Sequence, residues 1–409
     1  MQTTSQMIER FGNQTARARV RQAVQPGTLK TVIEAELNTL IADALNAQLK
    51  AEQDTLLGRA PYARVPESPS RNGFKRFWLS GLFGRLALRR PVVRTGTLRS
   101  PLLAALRSAG RQLRDSLAVA FWLRGASTRA TAEELNGALG TRLTRSTITT
   151  LTNALEPALK VWEARAIPKG ILYLFLDALY LPIRRPGFTH EQALLVALGV
   201  DGRGQRHVLG FLLGDRESEV SWTALIQDLL RRGLDRKALR LVITDEHKGI
   251  EAAVTKRLGV AHQLCVVHLL RNVKARVAAP DWKAFLADLH EVFWASSPEA
   301  ARQALGRLEA RWQSRYPKAV AIATHRFEDF TRFFAEPPKF WTLLRSTNLL
   351  ERFNRELRRR LRPAGAMQSE LEVTKLVWSV ATGQENRWAG RSWKPRGLSA
   401  QLQGQVAMA

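Results

Sequence analysis

The stretch Leu241-Val242-Ile243-Thr244-Asp245-Glu246-His247-Lys248-Gly249 decides how this chain is read. Aliphatic and β-branched residues run straight into an acid. A short run of that kind reads as a strand buried on both faces of a parallel sheet. Asp245 then stands at the carboxyl end of the strand, where open α/β sheets place their chemistry. Ile250, Ala253, Val254 and Leu258 follow at helical spacing. Asp245 suits two roles there, as N-cap of that helix or as a site carboxylate.

A second apolar run, Ile171-Leu172-Tyr173-Leu174-Phe175-Leu176, ends in Asp177. Leu181 to Ile183, Ala193 to Val200 and His207 to Phe211 read as further strands, separated by Arg184-Arg185-Pro186-Gly187 and Asp201-Gly202-Arg203-Gly204, which are turn sequences. A helix carrying Trp222, Leu225, Ile226, Leu229 and Leu230 precedes the Asp245 strand, with Gly233 just past its end. Strands joined by tight turns, then helix, strand and helix, resemble a ribonuclease H-like core. In such a sheet the first and fourth strands lie side by side, so Asp177 and Asp245 are expected to be neighbours. Two carboxylates that close repel unless a cation sits between them. Mg²⁺ takes hard oxygen ligands and keeps several waters. Two such ions ~3.5–4 Å apart can serve phosphodiester chemistry; Mn²⁺ is expected to substitute.

Around this core the chain divides by pattern. Residues 1–105 read as a helical and basic region. Leu29, Ile33, Leu37, Leu40, Ile41 and Leu45 recur at helical spacing, on a helix expected to pack on another helix or a second protomer. Arg71, Lys75 and Arg76 stand among Phe74, Phe77 and Trp78, a mixture suited to tracking a nucleic-acid backbone. Leu86 and Leu88 hint at a short strand. Residues 106–165 read as three helices in a helix-turn-helix layout, the second capped by Ser127 and the third by Ser146, with Gly140 between them. Arg145, Thr147 and Thr149 are expected to face bases or phosphates. The core runs over 166–279 and 346–383, an aromatic-rich all-α insertion fills 280–345, and a poorly ordered polar tail is expected from 384 to 409.

The last informative stretch is Arg345-Ser346-Thr347-Asn348-Leu349-Leu350-Glu351-Arg352-Phe353-Asn354. Leu349, Leu350, Phe353, Leu357 and Leu361 form the apolar stripe of a helix. Glu351 lies off it, with Arg355, Arg358 and Arg362 on its own face. Glu351 is either a capping-box glutamate paired with Arg355, or a carboxylate beside arginines that hold phosphate.

The 409 residues carry 63 basic and 36 acidic side chains, a formal charge of +27. So basic a chain calls for a polyanion, usually nucleic acid. One cysteine, Cys265, excludes an intrachain disulfide and any multi-cysteine zinc site. The polar N-terminus shows no secretory signal and no apolar run reaches membrane-spanning length. A cytoplasmic, nucleoid-associated protein is expected.

Several pieces resemble the prokaryotic Mutator-type transposases, the IS256 family: Ser70-Arg71-Asn72-Gly73-Phe74, Leu123-Arg124-Gly125-Ala126-Ser127-Thr128-Arg129, Asp177-Ala178-Leu179-Tyr180, Thr244-Asp245-Glu246-His247-Lys248-Gly249, Cys265-Val266-Val267-His268-Leu269-Leu270-Arg271-Asn272, and the Ser346–Asn354 stretch. Their order and spacing span about Thr28 to Ala381. The resemblance implies a DDE transposase with Asp177, Asp245 and Glu351 as catalytic and metal-binding triad and a helical insertion before the glutamate. It implies cleavage and strand transfer on terminal inverted repeats and target DNA. A homodimer is expected. The family often has Gly where Ala178 and Glu246 stand, so Glu246 competes with Asp245 for the metal; Asp245 is preferred because it directly ends the strand. Lys248, His268, Arg271 and Asn272 are candidate DNA contacts. On the residues alone, a nuclease without strand transfer and a DNA-binding regulator with inert acids remain open. The regulator has no use for three acids on apolar elements.

Overall fold

The computed structural model describes residues 26–58, 70–81, 84–94, 99–185, 188–364 and 369–393. Its contacts divide the chain into two compact units, Met1–Ala154 and Leu155–Ala409. The reading of the N-terminus falls outside the described residues, as does most of the tail.

The first unit opens on helix α1 (Pro26–Leu57), followed by an antiparallel hairpin, β1 (Arg71–Gly81) and β2 (Gly84–Val93). The hairpin replaces the single short strand expected at Leu86 and Leu88. Both of those side chains are buried, while β1 mixes basic residues with aromatic rings without strict alternation, a pattern that resembles a linker until a partner strand pairs with it. Asn46 of α1 accepts from the Arg89 amide at 2.7 Å, and Asp54 pairs with Arg71 at 2.8 Å. Three helices follow: α2 (Pro101–Leu123), α3 (Thr128–Leu139) and α4 (Arg145–Asn153). Ser127 caps α3 as expected, its hydroxyl accepting from the Ala130 amide. Gly140 ends α3 in the left-handed region at φ 59°. The expected Ser146 cap is corrected: Thr144 is the N-cap, accepting from the Thr147 amide at 3.2 Å, and Ser146 lies inside the first turn. Leu155 falls outside α4, because a break at Ala154 starts a separate helix, α5 (Glu156–Ala164).

The second unit is a mixed α/β structure built on a five-stranded sheet in the order β5-β4-β3-β6-β7. Strands β3 (Ile171–Arg185), β4 (Phe188–Asp201) and β5 (Arg206–Gly214) form an antiparallel meander. Helix α6 (Glu219–Arg231) leads to β6 (Leu241–Thr244), which is parallel to β3. Helix α7 (Lys248–Arg257) then leads to β7 (His262–Leu264), parallel to β6. Leu181–Ile183 is not a separate strand, so Asp177 sits within β3 rather than at its end. The β3–β4 ladder has fourteen residues of β4 to pair with and no breaker at 178–180. One face of the sheet packs Leu174, Leu176, Leu195, Ala197 and Val242 against Trp222, Leu225, Ile226 and Leu229 of α6 and Ile250 and Val254 of α7. Each such fully buried aliphatic side chain contributes about 1.5–3 kcal/mol.

Helices α8 (Val266–Lys274), α9 (Ala279–Phe293), α10 (Pro298–Trp312), α11 (Pro317–Thr324), α12 (Phe327–Thr331) and α13 (Pro338–Leu344) follow, with a 3₁₀ turn at Arg332–Ala335. Rings fill their interior: Phe285 lies 5.3 Å from Trp312, and Phe293 packs near Phe327 and Phe330. Two long helices close the chain, α14 (Asn348–Ala364) and α15 (Glu370–Trp388). The expected tail boundary at 383 falls inside α15. That helix continues because Arg165 forks onto Glu385 with two hydrogen bonds of 2.8 and 2.9 Å, and because Trp388 is buried. Beyond it the Trp393 amide donates to Gly204. No described helix is long and apolar enough to cross a membrane.

Which residue caps α4 is open to measurement. Thr144→Ala is expected to lower stability by about 1 kcal/mol in a urea melt, and Ser146→Ala by much less. Equal losses would contradict the assignment.

Candidate active site

The register of β3 against β6 builds the site. Phe175 lies opposite Ile243, the last pair of the ladder. Carrying that register two residues further sets Asp177 level with Asp245, and the two-residue step keeps both on the same face. β6 ends at Thr244 because Thr244 turns its hydroxyl onto the Asp245 carbonyl and the His262 ring, while the Cys265 amide takes its carbonyl.

Asp177, Asp245 and Glu351 line one pocket of about 390 Å³ with Ala178, Tyr180, Glu217, His268, Arg271, Asn354, Arg355 and Arg358. Asp177 is 8% exposed. The Asn354 side-chain amide donates to its Oδ2 at 2.8 Å, and the Ala178 amide to its Oδ1 at 3.0 Å. Burial first, then the charges of Asp245 and Glu351, push its pKa up to about 7 against the opposing pull of His268. Burial also raises Asp245, again opposed by His268 and by His247. Burial works against a charged His268, but a hydrogen bond to Cys265 and the charges of Asp177 and Asp245 outweigh it, and its pKa is pushed up to about 9. The two acids thus favour the charged form of His268.

Glu351 comes from the first turn of α14. Asn348 is already inside the helix, so it is not the cap that a capping box with Glu351 needs; Arg271 of α8 meets Glu351 at 2.7 Å. Cys265 ties these two helices together, its Sγ accepting from the amide and the hydroxyl of Thr347, both at 3.3 Å. Glu246 points elsewhere. It lies 3.7 Å from Arg326 and lines a different pocket with Asn272, Arg276 and His325. Asp245 therefore faces the site, and Asn272 does not.

The carboxylates fit a divalent cation. Asp245 Oδ1 is buried with no hydrogen-bond partner among the described residues, and two acids at one level of a sheet repel. No three His, Cys, Asp or Glu groups among the described residues stand close enough to hold one ion together. Mg²⁺ needs only one or two carboxylates, since it keeps several waters.

The other sequence candidates are placed as follows. Lys75 and Arg76 are exposed on β1, and Arg71 pairs with Asp54. Arg145 is exposed on α4, where Thr149 bonds back to its carbonyl and Thr147 to Thr144. Lys248 is exposed at the start of α7, and Arg271, Arg355 and Arg358 reach the pocket. The Arg362 side chain lies outside the described residues. Asn354 and Glu217 were missed as site residues. Asn354 interrupts an apolar stripe three residues after Glu351, a signal that could have found it; nothing local marks Glu217.

The chain belongs to the Mutator family of transposases, whose family model matches residues 13–390. It is 31% identical to the transposase for insertion sequence element ISRM5 of Rhizobium meliloti over 86% of its length and 88% of that protein. It is 27% identical to the transposase for insertion sequence element IS256 in transposon Tn4001 of Staphylococcus aureus over 92% of its length and 94% of that protein. At a TM-score of 0.27 and 12% identity it is similar to a chain of the Drosophila P element transposase strand transfer complex, over 74% of its length and 83% of that chain. It is a transposase of the insertion-sequence type.

The pKa directions set a sign. The ordinary values are 3.8 for Asp177 and 6.5 for His268. Both are raised, so the folded state holds more protons and stability falls as pH rises. Metal-free protein is expected to lose stability through Asp177 between about pH 4 and 7 and through His268 between about 6.5 and 9. Urea melts in chelator check this, and Asp177→Asn should flatten the lower window. Stability rising from pH 5 to 7 would contradict it.

Proposed function

We propose that this protein cuts and rejoins DNA at the terminal inverted repeats of its element, with Asp177, Asp245 and Glu351 as the catalytic carboxylates. The observation that carries the reading is the β3–β6 register, which brings Asp177 level with Asp245 while Asn354, from the helix of Glu351, holds Asp177. The sheet order supports a ribonuclease H-like core, with the helices over 280–345 as an insertion and 106–165 as a helix-turn-helix.

Water attacks a phosphodiester at the transposon end. The bond from phosphorus to the 3′ oxygen breaks, and that oxygen leaves as a hydroxyl. The 3′-hydroxyl then attacks a phosphodiester of target DNA, forming a new P–O bond and releasing the displaced 3′ oxygen, which takes up the proton. Two Mg²⁺ ions, or Mn²⁺ in their place, supply Lewis acidity at the attacking and leaving oxygens when bound by Asp177, Asp245 and Glu351. The protein's own groups do the positioning. Asn354 and the Ala178 amide orient Asp177, and Arg271 holds Glu351. Arg355 and Arg358 line the wall where a phosphate would lie. Arg71, Lys75, Arg76, Arg145, Thr147, Thr149, Lys248 and Arg362 are proposed to contact DNA.

Asp177→Asn, Asp245→Asn and Glu351→Gln are each expected to reduce cleavage of a labelled repeat-end substrate by about a hundredfold or more, the scale of losing one preorganised charge-stabilising group. Binding in a gel shift should persist. Near-normal cleavage by one variant removes that residue from the triad. Arg358→Gln is expected to weaken binding to all duplexes alike and to flatten the log–log salt slope by about 0.9. An unchanged slope would make Arg358 a solvated side chain only.

A further inference from the structure

Glu217 stands just before the cap of α6, in a stretch that carries no recognised signal. Its side chain is only 8% exposed, and it lines the same pocket as Asp177, Asp245 and Glu351. Trp222 Nε1 donates to its Oε1 at 3.2 Å, and His247 Nδ1 lies 3.5 Å from that same oxygen. Both contacts fall on Oε1, which leaves Oε2 for another ligand. After burial itself, the strongest influence raising Glu217 is the charge of Asp245. Asp245 in turn has a buried oxygen, Oδ1, without a hydrogen-bond partner among the described residues.

A buried carboxylate beside another buried carboxylate is unfavourable unless something compensates both. The backbone is arranged to hold this pair close. A Cβ added at Gly249 would lie 2.9 Å from the Glu219 amide nitrogen and 3.0 Å from the Ser218 carbonyl carbon. Only a glycine lets the start of α7 press against the start of α6. Gly249 therefore sets the approach of the Glu217 segment to Asp245, four residues upstream of it in sequence.

We propose that Glu217 is a fourth carboxylate of the site, a divalent-cation ligand on the Asp245 side, and that Gly249 is the residue that permits its approach. The inference rests on the reading of Asp177 and Asp245 as metal carboxylates. Trp222 holds Oε1, and Oε2 takes the cation. Charges on Glu217 and Asp245, which repel without metal, become the attraction that retains it.

The test is calorimetric titration of the full chain with Mn²⁺ alone, beside thermal melts in chelator and a duplex gel shift. Glu217→Gln keeps an oxygen for Trp222 and removes only the charge. It is expected to lose about tenfold or more in Mn²⁺ affinity, with a metal-free Tm unchanged or higher and duplex binding unchanged. Asp245→Asn should lose affinity as well, and Glu246→Gln should keep it. Glu217→Asp keeps the charge on a shorter arm and should fall between wild type and Glu217→Gln. Gly249→Ala, which leaves every carboxylate in place, should reproduce the loss of Glu217→Gln. Wild-type affinity in both Glu217 variants, with loss in Asp245→Asn, overturns the inference and leaves the metal reading standing. Wild-type affinity in Asp245→Asn as well overturns the metal reading and the inference with it.

Discussion

A buried acid on β3, Asp177, facing one pocket with Asp245 just past the end of β6 is the constraint on which the rest of the second unit depends. Burial raises the pKa of both acids, and the charge of Asp245 raises Asp177 further. The structure answers with several groups at once. Asp177 takes two hydrogen bonds, His268 brings positive charge, and the carboxyl of Asp177 is held up to about 7. Every element that supplies one of those groups has to be placed accurately, and that requirement explains much of the packing around the sheet.

The placing runs through the edge strand β7 and the helices that follow. Gln263, fully buried, donates to the Phe330 carbonyl and accepts from the Phe333 amide. Tyr173 of β3 donates to Glu336, which also meets Arg240. Arg345 is buried between Trp294 and Phe333, 4.5 and 5.0 Å from their ring centres, and its carbonyl accepts from the Val266 amide. The chain thus leaves the sheet after Leu264 and returns at Ser346 beside the strand it left. The Cys265–Thr347 contact secures that return. Cys265 is a structural tie between α8 and α14, and His268, one turn on, lines the pocket of the acids.

Charge is distributed unevenly. In the helices between 279 and 344, Arg302, Arg307, Arg311 and Arg315 each meet a carboxylate on a neighbouring helix or turn. Such exposed pairs add little stability, commonly below about 1 kcal/mol. Their effect is to silence positive charge on that surface. The surplus of the +27 chain is left to other places, among them the exposed Lys75 and Arg76 on the hairpin and Arg145 on α4.

Sequence alone determined the buried strands, the helices after them and the candidate acids, because those signals are local. An apolar run has to be buried, and an acid abutting it has to face an edge or a site. The resemblance to Mutator-type transposases was legible for the same reason, since its motifs are contiguous. The cap at 127 was legible; the cap at 144, the hairpin at 71–93 and the full length of α15 were legible in part or not at all. Basic residues mixed with aromatics look unpaired until a partner strand is known, and α15 continues only because Arg165 and a buried tryptophan hold its end. Tertiary structure alone decided the site. Asp177 and Asp245 are 68 residues apart by number, Arg271 reaches Glu351 across two helices, Asn354 turns inward from an apolar stripe, and Glu217 arrives because Gly249 clears its path. No local pattern encodes these meetings. They follow from strand register and close backbone approach, which exist only once the sheet has formed.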